Sequence, residues 1–155
     1  MRNKWSSIFV KILGEQNVDI KIINTVNGWI EKLEIRNKIF FVKSASYNTN
    51  RNLYFSGIDK NKINDTNDYM LVCGGFNSEL IDIFIIPWEI ILKLLNNSVP
   101  INTYKLPKEY LQYKFYIIFR NNTYTLSFEK CQIPHLKINQ YRYWVENSID
   151  FFRSL

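Results

Sequence analysis

Cysteine and histidine are scarce in this chain. Two cysteines, Cys73 and Cys131, and one histidine, His135, stand among 155 residues. A structural zinc site needs about four Cys, His or acid ligands at short spacings, and that pattern is missing. A disulfide framework is excluded by the same sparseness. Cys131 and His135 fall in an expected loop after a strand and read as packing, not as a nucleophile and its base. Glycine is equally thin, with five residues. Gly74-Gly75 is not followed by Lys-Ser/Thr, and no G-x-G-x-x-G or G-x-S-x-G occurs, so no phosphate cradle or nucleophile elbow is encoded. No apolar run approaches the roughly 20 residues of a membrane span. The opening Met1-Arg2-Asn3-Lys4-Trp5 starts like a signal peptide, but Lys11, Gly14 and Glu15 break the apolar stretch such a signal requires. A soluble cytoplasmic protein with no membrane partner is expected.

The chain is rich instead in aromatic, aliphatic and basic residues. Hydrophobic residues make up 46% of it, aromatic residues 16% and charged residues 22%, which describes a folded domain and not a disordered one. The length suits one domain, 1–155. The net charge of +6 favours a polyanionic partner. Ile, Asn and Lys together supply 55 of the 155 residues, a bias that discounts the lysine total as a signal. The distribution is more telling. Residues 1–62 carry eleven Lys/Arg against five acids, 63–103 one against five, and 104–155 eight against four. Two basic segments flank an acidic one.

Periodicity sets out the elements. Ser6–Leu13 has helical spacing. Val18–Asn24 and Trp29–Ile35 are strands joined by Asn27-Gly28, the strongest short hairpin signal because both residues accept positive φ. After a turn at Arg36-Asn37-Lys38, Ile39–Val42 is apolar throughout, as in a strand covered on both faces. Ser46–Asn52 reads as a polar turn-rich loop, Leu53–Phe55 as a strand and Asp59–Asn67 as a loop. Tyr69–Cys73 is a strand ended by Gly74-Gly75, and Leu80–Ile86 a strand ended by Pro87, which lacks an N–H. Trp88–Leu95 is a helix. Tyr113–Phe119 and Thr123–Phe128 flank a turn at Asn121-Asn122, and a last helix runs from an Asn139 cap to Phe152. The expected fold is α+β, a bent mixed or mostly antiparallel sheet with flanking helices.

The segment Glu34 to Ala45 carries the main functional signal. A strand ending in Val42-Lys43-Ser44 comes after a hairpin, and Asp68–Cys73 and Phe84–Pro87 come later. This arrangement resembles restriction-endonuclease-like proteins of the PD-(D/E)XK type. The resemblance implies a Mg²⁺-dependent endonuclease, with Lys43 as the motif lysine and Glu34 as the upstream acid, Asp19 and Glu31 being the other choices. Two residues before Lys43 stands Phe41, where that family has a carboxylate. The helix the family places after its lysine strand is replaced here by a polar loop.

The same stretch supports binding without chemistry. Lys43, Ser44, Ser46, Tyr47, Asn48, Asn50, Arg51 and Asn52 form a basic, amide-rich run, and Lys60 and Lys62 extend its charge. Lys and Arg meet phosphates, and Asn and Arg read base edges. Small recognition domains of restriction systems, including B3-like pseudobarrels, are similar in using strand-edge loops this way, which keeps a B3-like β-pseudobarrel as the alternative fold. The expected function is a duplex-DNA-binding module of a restriction or defence system, with a partner subunit or further domains. The alternatives are the Mg²⁺ endonuclease and a protein-interaction domain. The crowd of Tyr104, Tyr110, Tyr113, Tyr116, Tyr124, Tyr141, Tyr143 and Trp144 reads chiefly as core, although such rings can also stack an extruded base.

Overall fold

A computed structural model describes residues 4–102 and 111–155, so Tyr104 and Tyr110 lie outside the described residues. Helix α1 spans Lys4–Glu15. Strands β1 (Lys21–Val26), β2 (Trp29–Ile35), β3 (Lys38–Asn48) and β4 (Leu53–Asp59) come next, then a 3-10 turn at Lys60–Lys62. After it lie β5 (Tyr69–Phe76), β6 (Glu79–Pro87) and α2 (Trp88–Asn96). The last part holds β7 (Ile101–Asn102), β8 (Leu111–Arg120), β9 (Thr123–Phe128), β10 (Leu136–Lys137), a 3-10 turn at Asn139–Tyr141, β11 (Arg142–Tyr143) and α3 (Val145–Arg153).

The hairpins depend on asparagine. Among the described residues, seven of the nine non-glycine residues with positive φ are Asn, including Asn27, Asn37, Asn121 and Asn122 in the tight turns. Asn tolerates the left-handed region because its short amide bonds locally. Much of the asparagine bias is therefore turn chemistry.

The sheet order is β10-β9-β8-β4-β3-β5-β6-β11, with β1 and β2 branching from β3 and β7 from β8. Among the described residues all ladders are antiparallel except β3 with β5, so the sheet is mixed and bent, as the α+β expectation has it. It curls into a half-barrel, and among the described residues no ladder joins β10 to β11 to close it. Strand β3 is the seam. Its first part pairs with β2 and β5 in one sheet, and its end, Tyr47–Asn48, pairs with β4 in the other.

Two cores result. Helices α1 and α3 cover one face of the first sheet, where Phe9, Leu13, Phe40, Leu71, Ile85 and Phe152 are buried together. Helix α2 and the second sheet cover the other face, burying Phe41, Met70, Phe84, Ile91 and Phe115. Coverage on both faces is why Phe40-Phe41-Val42 reads as an unbroken apolar run.

Several boundaries differ from the sequence expectation; β4, for instance, runs on past Phe55 to Asp59. Strand β5 does not stop at Gly74-Gly75 but runs through them to Phe76. A Cβ on Gly74 would lie 2.6 Å from the Tyr54 ring, and one on Gly75 2.4 Å from the Trp5 ring. The glycines admit a ring on each face of a continuing strand. Strand β3 reaches Asn48, through residues expected in a loop. The last helix begins only after Trp144, because Arg142 is needed in an extended segment facing Asp82.

Asp82 is the polar rivet of the fold. It is 5% exposed and sits on β6 opposite Gly74. Its carboxylate accepts from the hydroxyls of Tyr54 and, at 3.0 Å, Tyr124, and from Arg142 Nε at 2.8 Å. Tyr54 and Tyr124 come from the second sheet, so one buried carboxylate joins both sheets and β11.

Candidate functional site

Strand pairing opens a gap beside Lys43. Strand β2 tracks β3 only along Lys38–Phe41, and β4 meets it only at Tyr47–Asn48. In between, the strands splay and leave a cavity of about 460 Å³. Phe41, Lys43 and Ser44 face it from β3, Ser56 and Asp59 from β4, Trp29 to Glu31 from β2, and Asn61 and Lys62 from the 3-10 turn. Its volume is within the usual range of ligand pockets.

Lys43 lies along the ring of Phe41, its amine 5.1 Å from the ring centre. The residue as a whole is half-buried, yet protein surrounds its amine on nearly every side. Desolvation lowers the amine pKa to about 8, only partly offset by the Glu31 and Asp59 carboxylates, and Lys62 pushes the same way as desolvation. Glu31 is held from two sides, by Lys62 at 3.0 Å and by the Asn24 amide. The bond from Lys62 to Glu31 raises the Lys62 pKa. Asp59 Oδ1 accepts from Asn61 N at 2.9 Å and so caps the 3-10 turn.

The acid chosen from the sequence, Glu34, is not at this site. It stands opposite Ile39 on β3, four residues from Lys43 along the strand, or about 13 Å. Asp19 is exposed ahead of β1. Glu31 is the acid that reaches the cavity, joined by Asp59, which sequence reasoning missed. Asp59 is distant in sequence and lies in no recognisable motif, so only the β4 path brings it there.

A divalent cation does not fit this donor set well. Two carboxylates are present, but one is already ion-paired, two lysines share the cavity, and the Phe41 ring occupies the motif's acid position. Among the described residues no group of three His, Cys, Asp or Glu side chains is gathered for a metal.

The residues expected to contact DNA separate into two sets. Several are engaged internally. Ser44 Oγ accepts from Ser6 N at 2.9 Å and donates to Ser6 Oγ, satisfying the start of α1. Ser46 Oγ accepts from Trp5 Nε1 at 2.9 Å. Asn48 Oδ1 accepts from the backbone N–H of Asn50 and Arg51, at 3.0 and 3.1 Å, and builds the turn after β3. Tyr47 packs on Tyr54 and Phe76. Lys43 and Lys62 belong to the cavity. The second set, Asn50, Arg51, Asn52 and Lys60, is exposed and not tied into the core, although Asn52 Oδ1 accepts from the Tyr47 hydroxyl at 3.4 Å and Arg51 lies over the Tyr116 ring.

The remaining nucleophile candidates are structural. Burial pushes the Cys73 thiol far up, and Cys131 Sγ donates to the Leu94 carbonyl at the end of α2. No helix among the described residues is long and apolar enough to cross a membrane. Comparison with protein-family models, with curated proteins and with solved structures gives no match.

Proposed function

We propose that this chain is a DNA-binding module that does not cut its ligand. The observation that carries the reading is the β3–β4 turn. Asn48 fixes its backbone, so Asn50, Arg51 and Asn52 stand exposed on a preformed support, with Lys60 exposed near the other end of β4. Preorganisation lowers the ordering cost of a charged contact. The net charge of +6 supports a polyanionic ligand. The cavity is unsuited to metal-dependent cleavage, because Phe41 replaces the motif acid and Lys62 neutralises Glu31. A setting in restriction or defence rests on the resemblance around Lys43 alone.

Binding of a labelled duplex across a salt series tests this. Log affinity should fall by about 0.9 per phosphate neutralised for each unit of log salt, and Arg51→Gln should lower that slope by about 0.9. Salt-independent binding, or none, overturns the reading. Supercoiled plasmid incubated with Mg²⁺ or Mn²⁺ should stay intact. Nicking that disappears in Lys43→Met would instead establish the nuclease.

A protein partner is the second reading, favoured by the edge strand β1. Ile22, Ile23 and Val26 are 48%, 43% and 44% exposed there, an apolar strip on an open sheet edge.

A further inference from the structure

Among the described residues, the second sheet has one buried face and one open face. Tyr54, Ile58, Phe115, Ile117, Leu126 and Phe128 alternate inward to the core. Alternation therefore turns Phe55 on β4 outward, with Lys114, Tyr116, Ile118 and Arg120 on β8 and Lys137 on β10. The register places Phe55 beside Tyr116, and Lys137 in the next row through Thr125 and Ile118. The three helices among the described residues pack elsewhere, on the first sheet or inside the curl.

The centre of this face is an aromatic pair with a cation on each ring. Phe55 is 45% exposed although β4 is an interior strand. Its ring lies 5.3 Å from that of Tyr116 at an interplanar angle of 36°. The Arg51 guanidinium sits 5.6 Å from the Tyr116 ring centre, and the Lys114 amine 5.7 Å from that of Phe55. Arg51 also belongs to the turn held by Asn48, so turn and face are continuous. A single exposed Phe needs no explanation, but rings alternating with cations along an open sheet face match what bases and phosphates require of a protein.

One carboxylate stands against the positive row. Glu129 is half-buried and acts on Tyr116, whose hydroxyl pKa is raised by burial and by this neighbour. Glu129 Oε2 is buried with no hydrogen-bond partner among the described residues.

We propose that this outer face binds single-stranded nucleic acid, with Phe55 and Tyr116 stacking an unpaired base and Arg51 and Lys114 meeting the flanking phosphates. The inference rests on the DNA-binding reading and names its ligand class. Duplex bases are stacked on one another and offer no face to Phe55, whereas an unpaired strand does.

Fluorescence anisotropy with a labelled single-stranded DNA, the same sequence as RNA, and the matching duplex tests it. Either single strand should bind more tightly than the duplex, and the better one identifies the sugar preferred. Phe55→Ala should weaken single-strand binding about 10-fold and leave duplex binding unchanged, with Phe55→Trp restoring it. Lys114→Gln should reduce the single-strand salt slope by about 0.7. Equal or tighter duplex binding, together with a silent Phe55→Ala, overturns the platform while leaving salt-dependent duplex binding through Arg51 and Lys60 in place. No binding to any of the three probes overturns both readings.

Discussion

Lys43 is the residue on which sequence and structure pull hardest against each other. As a strand-end lysine it reads as an outward contact, but the splayed strands enclose it. Its folded pKa of about 8 lies below the usual lysine value, so the native state favours the neutral amine. Below pH 8 both folded and unfolded states hold the proton, and the full desolvation penalty is present. Between 8 and about 10 the native state releases a Lys43 proton that the unfolded chain keeps, which raises stability with pH, while from about 8.5 the unfolded chain loses a thiol proton that buried Cys73 keeps, which lowers it. Above about 10 the unfolded state loses tyrosine protons that Tyr54 and Tyr124 retain, Tyr124 having been raised to about 12, and stability should fall again. In urea unfolding Lys43→Met should gain about 1–2 kcal/mol over wild type at pH 7, discounted for partial exposure, and this gain should shrink between pH 8 and 10. A Lys43→Met gain that stays constant over that range would refute the enclosed amine. The lysine itself is legible from its place after an apolar strand. Its partners Glu31 and Asp59 are not, because spacing says nothing about which of several acids a splayed strand turns inward.

Elements are most legible where local chemistry decides them. The Asn27-Gly28 and Asn121-Asn122 turns, the β2 boundaries and helix α2 are all set by residues a few places apart. Sequence reasoning fails where a distant ring decides. Gly74-Gly75 looks like a strand end, yet it lies inside β5 to admit Tyr54 and Trp5. Gly75→Ala should therefore cost about 1–3 kcal/mol, because the Trp5 ring must move and its bond to Ser46 is strained. Helix α1 should loosen with it, seen as faster amide exchange over Lys4–Glu15. Unchanged stability and exchange would mean that α1 repacks freely. The expected last helix from Asn139 fails for a similar reason. Asn139 is spent accepting from Tyr124 N at 2.7 Å and donating to the Asn122 carbonyl, which anchors the chain so that Arg142 can reach Asp82.

At the scale of the molecule, two sheets share the long strand β3 and one buried carboxylate. Asp82 is satisfied by Tyr54, Tyr124 and Arg142, and Arg142 is itself stacked 3.7 Å from the centre of the Trp144 ring. Removing one member strands the others without a partner. Asp82→Ala should cost about 3–5 kcal/mol in urea unfolding, since it leaves a largely buried guanidinium unpaired. Asp82→Ala with Arg142→Ala should cost less than the two single changes summed. A loss below about 1 kcal/mol for Asp82→Ala would show that the curl is held by apolar packing alone.

Composition, periodicity and turn residues determined by themselves that this chain is an α+β domain with a bent sheet, because hydrophobic spacing and positive-φ asparagines act over a few residues. The tertiary structure alone decided which charges face outward and which acids meet Lys43. It alone decided that Phe55 and Tyr116 share an open face with Arg51 and Lys114. Those juxtapositions depend on strand register and on where strands part, and both are set by packing between residues tens of positions apart.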